Sequence, residues 1–152
     1  MEMATQHFER TLWTAPGKTA REYLLGRGFK KETLEKVRAG AARDSWDDLL
    51  GALRGQFAPR ALLAAGLVLE RQGKDGHYDR FRNRAVFPIL GESGKVVAFG
   101  ARSLDGRDGL TGDALFVLVS SRAEKGFVPI LRRDGVAVLD VGDLKRGAAN
   151  GK

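Results

Sequence analysis

Apolar residues recur at helical spacing through most of the first 66 residues. Phe8 and Leu12 lie four positions apart in HFERTLW, and Leu34 and Val37 lie one turn apart in KKETLEKVRAG. Because residues three and four apart share a helix face, each segment is predicted to be a helix with one buried side. TAREYLL is predicted to be another helix, with Thr19 as its N-cap.

The segment RDSWDDLLGALRG has the clearest amphipathic pattern. Its predicted buried stripe consists of Trp46, Leu49, Leu50 and Leu53. Asp44 or Ser45 is the predicted cap, because short polar side chains accept hydrogen bonds from the first free N–H groups of a helix. APRALLAAG predicts one more short helix, with Pro59 in its first turn.

The period then changes from helix to strand. Strands are predicted at 67–71, 77–90 and 95–104, joined by the turn segments QGKDG and GESGK. Apolar runs at 115–119, 127–131 and 136–141 predict further strands, and the basic, glycine-rich end KRGAANGK is expected to be flexible. The pattern indicates an α+β fold in which N-terminal helices pack on a small antiparallel sheet. We divide the chain into a domain at 1–104 and a β-rich extension at 105–152.

Three arginines alternate with other residues in RFRNR, before an apolar run. Side chains of a strand alternate between its faces, so Arg80, Arg82 and Arg84 are predicted to share one face and Phe81 the opposite, buried one. We expect Arg102, on the returning strand, to share the arginine face, with Lys95 in the turn between them. Such a row suits the backbone of an extended nucleic-acid strand. The alternative is a solvated face whose arginines pair with neighbouring carboxylates.

Composition narrows the choice of partner. Lys and Arg total 26 against 19 Asp and Glu, a formal net charge of +7, which favours a polyanion such as nucleic acid. The chain has no cysteine, which excludes disulfides and thiolate zinc sites. With no long apolar run and no signal-like start, we expect a cytoplasmic protein that does not bind membranes. GESGK is too short for a phosphate-binding Walker A loop, so no cofactor is predicted.

The stretch YDRFRNRAVFPILGESGKVVAFGARSL resembles the motif YDRFR-x-R-x-x-FPI…G-x-x-x-(G/A)-FG-(G/A)-R-x-L of bacterial DnaG-type DNA primases. Upstream, REYLLGRGFKKETLEKVRAG, SWDDLLGAL and LLAAGLVLE are similar to segments of that family in the same order. The resemblance covers about residues 8 to 104. It implies the N-terminal subdomain of the primase RNA polymerase core, which precedes the toprim fold.

In that family the subdomain guides single-stranded template along a basic surface. By resemblance the nucleic-acid-binding residues are Arg27 in the RG motif, Arg80 in YDRF and Arg102 in FGAR. Arg82, Arg84 and Lys95 are predicted to extend that surface, and all these cations are expected to line one groove. Tyr78 is a candidate platform for a stacked base.

Elsewhere the chain departs from the family pattern. A primase has a cysteine- and histidine-bearing zinc module before this region, and none is expected in this cysteine-free chain. The family's lysine-bearing PKYLNSPET segment is replaced by SLDGRDGL, and the toprim Asp-x-Asp pair that holds Mg²⁺ does not occur. Asp140 and Asp143 are interpreted as strand-end and turn residues, so no metal site is predicted.

Three functions remain open at this point. The first is binding of single-stranded DNA or RNA for template guidance, without catalysis by this chain alone. The second is a reduced primase that makes RNA primers, with Asp140 and Asp143 as unusual metal ligands. The third is an interaction module whose basic face docks a replication protein; a toprim subunit or a helicase is a candidate partner.

Overall fold

The computed structural model describes residues 1–105 together with the backbone of residues 116–119, 127–132 and 135–140. The helices are α1 (Glu2–Trp13), α2 (Lys18–Gly26), α3 (Lys31–Lys36), α4 (Asp48–Ala52) and α5 (Pro59–Ala64). The strands are β1 (Gly40–Ala42), β2 (Val68–Glu70), β3 (His77–Asp79), β4 (Arg84–Leu90), β5 (Val96–Ser103), β6 (Phe116–Val119), β7 (Phe127–Arg132) and β8 (Gly135–Asp140). The predicted α+β class is confirmed.

The main sheet has four strands in the order β1-β4-β5-β6, all antiparallel. Two further antiparallel pairs, β2-β3 and β7-β8, form separate two-stranded sheets. The sequence did not reveal β1, because Gly-Ala-Ala has little strand propensity. Tertiary packing places it there: a Cβ on Gly40 would lie 2.5 Å from the Cβ of Phe8, so only glycine lets α1 approach β1 so closely.

The predicted strand at 77–90 is wrong as a single element. Tyr78 lies opposite Leu69 in the β2-β3 pair, whereas Arg84 begins β4 of the main sheet. Between them, Asn83 has a φ of 50°, in the left-handed region, which ends the extended alternation. The common face predicted for Arg80, Arg82 and Arg84 is therefore also wrong.

Each face of the main sheet carries its own apolar core. On one face, which we call the α4 face, Val86, Phe99 and Ala101 pack with apolar residues of α1, α4 and α5. On the other, which we call the α2 face, Ala41 and Ala85 pack with residues of α1, α2 and α3. Because both faces are covered, β4 and β5 read as nearly continuous apolar runs.

Three phenylalanines form the centre of the α4-face core. The ring of Phe8 lies edge-to-face on Phe99, with centroids 5.4 Å apart, and on Phe81 at 6.0 Å. Phe81 also contacts Phe99 at 5.9 Å. Each such pair contributes about 0.5–1.5 kcal/mol beyond burial, and the predicted core position of Phe81 is confirmed.

Helix α4 is capped from outside its own segment. The Asp79 carboxylate, 2% exposed, accepts hydrogen bonds from the N–H groups of Leu49 at 2.7 Å and Leu50 at 2.9 Å. The predicted caps, Asp44 and Ser45, make neither bond. A residue 29 positions away in sequence from Leu50 thus joins β3 to the start of α4.

Three side-chain predictions in the helical region are wrong. Trp46 precedes α4 instead of lying in it and is 56% exposed, so it is not part of the buried stripe, while Leu49 and Leu53 are buried. Helix α2 begins at Lys18 without a side-chain cap, so Thr19 is not its N-cap. Val37 follows α3 and is exposed.

The strands predicted in the last third are confirmed by β6, β7 and β8. β6 pairs with β5, and β7 pairs antiparallel with β8, with Phe127 opposite Asp140. The division into 1–104 and 105–152 stays a prediction. Asp143 and the predicted flexible end lie outside the described residues.

Candidate nucleic-acid interface

The segment between β3 and β4 is fixed by backbone hydrogen bonds to three separate places. The N–H of Asp79 donates to the carbonyl oxygen of Trp46 at 2.8 Å, and that of Arg80 to Leu67 at 3.0 Å. The N–H of Asn83 donates to the carbonyl oxygen of Arg43 at 3.0 Å. This irregular segment is therefore held on both sides of Arg82, the residue that it presents.

Arg82 stacks on an aromatic pair formed by the exposed Trp46 and the half-buried Tyr78. Its guanidinium carbon lies 3.7 Å from the ring centroid of Trp46 and 5.2 Å from that of Tyr78. The two rings meet edge-to-face at 5.4 Å, and the Arg71 guanidinium lies 6.0 Å from each ring centroid. We call Trp46, Tyr78, Arg71 and Arg82 the tryptophan cluster.

Arg82 of this cluster and the nearby Arg80 are both partly buried. The buried Nε atoms of Arg80 and Arg82 have no hydrogen-bond partner within the described part of the chain. Burial lowers the pKa of Arg80 from its usual range, partly opposed by Tyr78. An arginine without a carboxylate neighbour keeps its terminal donors available for an external anion. A buried polar atom without a partner is unusual in a folded protein and often marks a functional place.

Arg84 and Arg102 lie on opposite faces of the main sheet. Residues directly opposite each other in an antiparallel pair share a face, and Arg102 lies opposite Ala85, a member of the α2-face core. Arg84 lies opposite Ser103 and Ala42, and Ala42 belongs to the α4-face core. The prediction that Arg102 shares a face with Arg84 is therefore wrong.

Arg27 and Lys95 lie apart from the tryptophan cluster. Arg27 is the C-cap of α2, whose Leu24 packs in the α2-face core. The Arg27 guanidinium carbon lies 5.9 Å from the centroid of the Tyr23 ring. Lys95 is exposed in the β4–β5 turn, about 20 Å along β4 from Arg84 at ~3.3 Å per residue. The six predicted cations thus divide between two sides and one end of the sheet, not along one row.

Sequence reasoning missed two members of the cluster. Trp46 was assigned to the core by its helical spacing, and Arg71 was not singled out. One clue was available: tryptophan and arginine are enriched at binding surfaces, so Trp46 and Arg71 were candidates for exposed contacts. The contact of Arg71 with Tyr78 follows from the β2-β3 hairpin, which the predicted strands imply.

No group of three or more His, Asp or Glu side chains that could hold a metal ion occurs within the described residues. Asp140 is the last residue of β8. No helix in the described part of the chain is long and apolar enough to cross a membrane.

The family model for the DNA primase catalytic core, N-terminal domain, matches residues 7–110. The chain therefore belongs to this DNA primase family. It is similar to the DNA primase of Halalkalibacterium halodurans, with 36% identity over 163 residues that cover 99% of this chain and 27% of the relative. The chain thus spans about a quarter of the length of that relative.

Two solved primase structures share the fold. The RNA polymerase domain of Mycobacterium tuberculosis primase DnaG matches with a TM-score of 0.71 and 29% identity, over 83% of this chain and 41% of that one. A DnaG primase catalytic domain bound to single-stranded DNA matches with a TM-score of 0.64 and 28% identity, over 76% of this chain and 36% of that one. The predicted resemblance is confirmed.

Proposed function

We propose that this chain binds single-stranded DNA through the tryptophan cluster and guides it as a template, without catalysing primer synthesis alone. The observation that carries the proposal is Arg82 stacked at 3.7 Å on Trp46, which is 56% exposed. Membership of the DNA primase family supports it, as does the related catalytic domain that is bound to single-stranded DNA.

The cluster has both parts that a strand-binding surface needs. An exposed indole offers a flat face on which any base can stack, at about 1–3 kcal/mol per base. Arg71 and Arg82 supply guanidinium groups for the phosphates on either side of that base. Neither contact reads base identity, so binding is expected to depend on salt more than on sequence.

The remaining predicted cations are proposed as auxiliary contacts. Arg80 and Arg84 flank Arg82 in the chain, and Lys95 would act only on a strand long enough to reach the β4–β5 turn. Arg27 and Arg102 belong to the side that α2 covers, and their role in nucleic-acid binding rests on the family motifs. Catalysis would then need groups beyond this chain, such as those of a toprim subunit.

Fluorescence anisotropy with a labelled single-stranded oligonucleotide tests the binding. We expect Trp46→Ala and Arg82→Ala each to weaken binding by about tenfold or more, and Arg102→Ala by a few fold. Arg10→Ala, which removes an exposed cation of α1, is the charge-matched control. Binding unchanged by both Trp46→Ala and Arg82→Ala would overturn the proposed site.

Primer synthesis by the purified chain tests the non-catalytic part. With template, ribonucleotides and Mg²⁺ or Mn²⁺, we expect no RNA product. Product formation that Asp140→Asn abolishes would favour the reduced primase instead.

A further inference from the structure

A pocket adjoins the tryptophan cluster, between the end of α4, the α4–α5 link and the β2–β3 turn. Its volume is about 410 Å³, within the range of ligand pockets and large enough for one nucleotide. Arg54, Arg71, His77 and Phe57 are among the residues that line it. Asp47 is a carboxylate on the wall.

Arg71 belongs both to this pocket and to the tryptophan cluster. Its guanidinium lies 6.0 Å from the ring centroids of Trp46 and Tyr78, and the residue also lines the pocket. Asp47 and His77, which line the pocket, directly follow Trp46 and precede Tyr78 in the chain. A strand with one base on Trp46 would therefore place a neighbouring nucleotide at the pocket.

The pocket chemistry fits a phosphorylated nucleotide unit. Arg54 and Arg71 form no ion pair within residues 1–105, unlike Arg38 and Arg43, which are held by carboxylates. Guanidinium groups bind phosphate through paired donors, and Phe57, 44% exposed, offers a ring face for a base or sugar. Asp47 opposes a phosphate and therefore limits affinity.

We propose that this pocket holds the nucleotide next to the one stacked on Trp46, with Arg54 and Arg71 on its phosphate. The inference rests on the proposed function. It adds a second subsite, whose effect appears only when a strand is long enough to occupy both places.

Binding of thymidylate oligomers of two to about ten nucleotides to the full chain tests this subsite. We expect Arg54→Ala to match the unsubstituted chain on the shortest oligomers and to lose about tenfold in affinity on the longer ones. The slope of log affinity against log salt concentration should become shallower by the amount that corresponds to about one lost phosphate contact. Phe57→Ala should show the same length dependence with a smaller loss.

Two control variants distinguish an effect of the pocket from a general effect of changing the net charge. Arg10→Ala removes an equal charge from α1 and should change no oligomer by more than about twofold. Asp47→Asn should tighten binding of the longer oligomers by a few fold, because it removes a repulsive carboxylate. Thermal unfolding of each variant confirms that the fold is retained.

The outcomes distinguish this inference from the proposed function. If Arg54→Ala binds long oligomers as tightly as the unsubstituted chain while Trp46→Ala binds them more weakly, the pocket proposal is overturned and the proposed function stands. Equal weakening of short and long oligomers by Arg54→Ala would also overturn the pocket. If neither variant weakens any oligomer, both proposals fall. Thymidine monophosphate competing as well as a long oligomer would overturn the placement of the pocket on a continuous strand.

Discussion

Arg82 and Arg38 each lie at or beside a residue in the left-handed region, but their side chains have different surroundings. Arg38 itself has a φ of 56°, and Arg82 precedes Asn83, whose φ is 50°. Arg38 is bound by two carboxylates, with its guanidinium 2.7 Å from Glu2 and 2.8 Å from Glu9, and these raise its pKa above the usual range. Arg82 has the rings of Trp46 and Tyr78 beside it instead.

The difference separates arginines that support the fold from those available to a ligand. Arg38 ties the end of the α3 segment to α1, and its charge is neutralised by its partners. Arg82 is oriented by aromatic contacts that leave its charge unopposed within the described residues. Counting basic residues along the sequence does not distinguish the two cases, whereas their partners do.

The largest expected effect comes from the residue that fixes the Arg82 region. Asp79→Ala removes the acceptor for the N–H groups of Leu49 and Leu50 and leaves buried donors at the start of α4. We expect the free energy of unfolding to fall by about 2–3 kcal/mol, measured by urea denaturation. DNA binding should weaken as well, because α4, which begins two residues after Trp46, loses the acceptor that caps it. Unchanged stability would contradict this role of Asp79.

Replacing Arg38 and Arg82 by alanine, one at a time, should show that the first residue supports thermal stability and the second supports DNA binding. Arg38→Ala is expected to lower the melting temperature by a few degrees, less so at high salt, with DNA affinity within about twofold of the unsubstituted chain. Arg82→Ala should do the reverse: a melting temperature within a degree or two and a large loss of affinity. Thermal unfolding and anisotropy on both variants make the comparison. Equal effects of the two substitutions on DNA binding would remove the distinction.

The smallest expected effect is on pH dependence. Burial raises the pKa of Asp79, although the N–H groups of Leu50 and Leu49 oppose the shift. A carboxyl group whose pKa is raised by folding stabilises fully below its ordinary pKa near 4, and this contribution is lost as pH rises through the folded value. The stability of the chain relative to Asp79→Asn should therefore decline from pH 4 upward in urea titrations. A relative stability that rises over that range would show that the hydrogen bonds outweigh burial.

The local spacing of apolar residues predicted most helices and strands, but it did not predict the surfaces that they form together. The capping role of Asp79, the insertion of β1 and the exposure of Trp46 all depend on residues far apart in the chain. The hydrophobic period correctly placed Phe8, Leu12 and Leu49 in the core. It failed at Trp46 because α4 begins only at Asp48, where the distant Asp79 carboxylate accepts its first hydrogen bonds.

The predicted common face of Arg80, Arg82 and Arg84 failed for a similar reason. The alternation of Arg80, Arg82 and Arg84 is typical of a strand, yet the strand is interrupted where β3 turns from one sheet to the other. A single residue in the left-handed region, Asn83, is enough to move the neighbouring side chains out of register. Family motifs identified the protein family, whereas the positions of the basic residues could be known only from the fold.

Tryptophan fluorescence tests the central claim most directly, because the chain has only two tryptophans. Trp13 is partly buried, with the Lys31 ammonium 5.5 Å from its ring centroid, whereas Trp46 is exposed beside Arg82. In a titration with single-stranded DNA, Trp13→Phe should retain a saturable quenching from Trp46, since a stacked base contacts that ring. Trp46→Phe should lose it. Quenching that persists in Trp46→Phe and vanishes in Trp13→Phe would place the strand elsewhere and contradict the account.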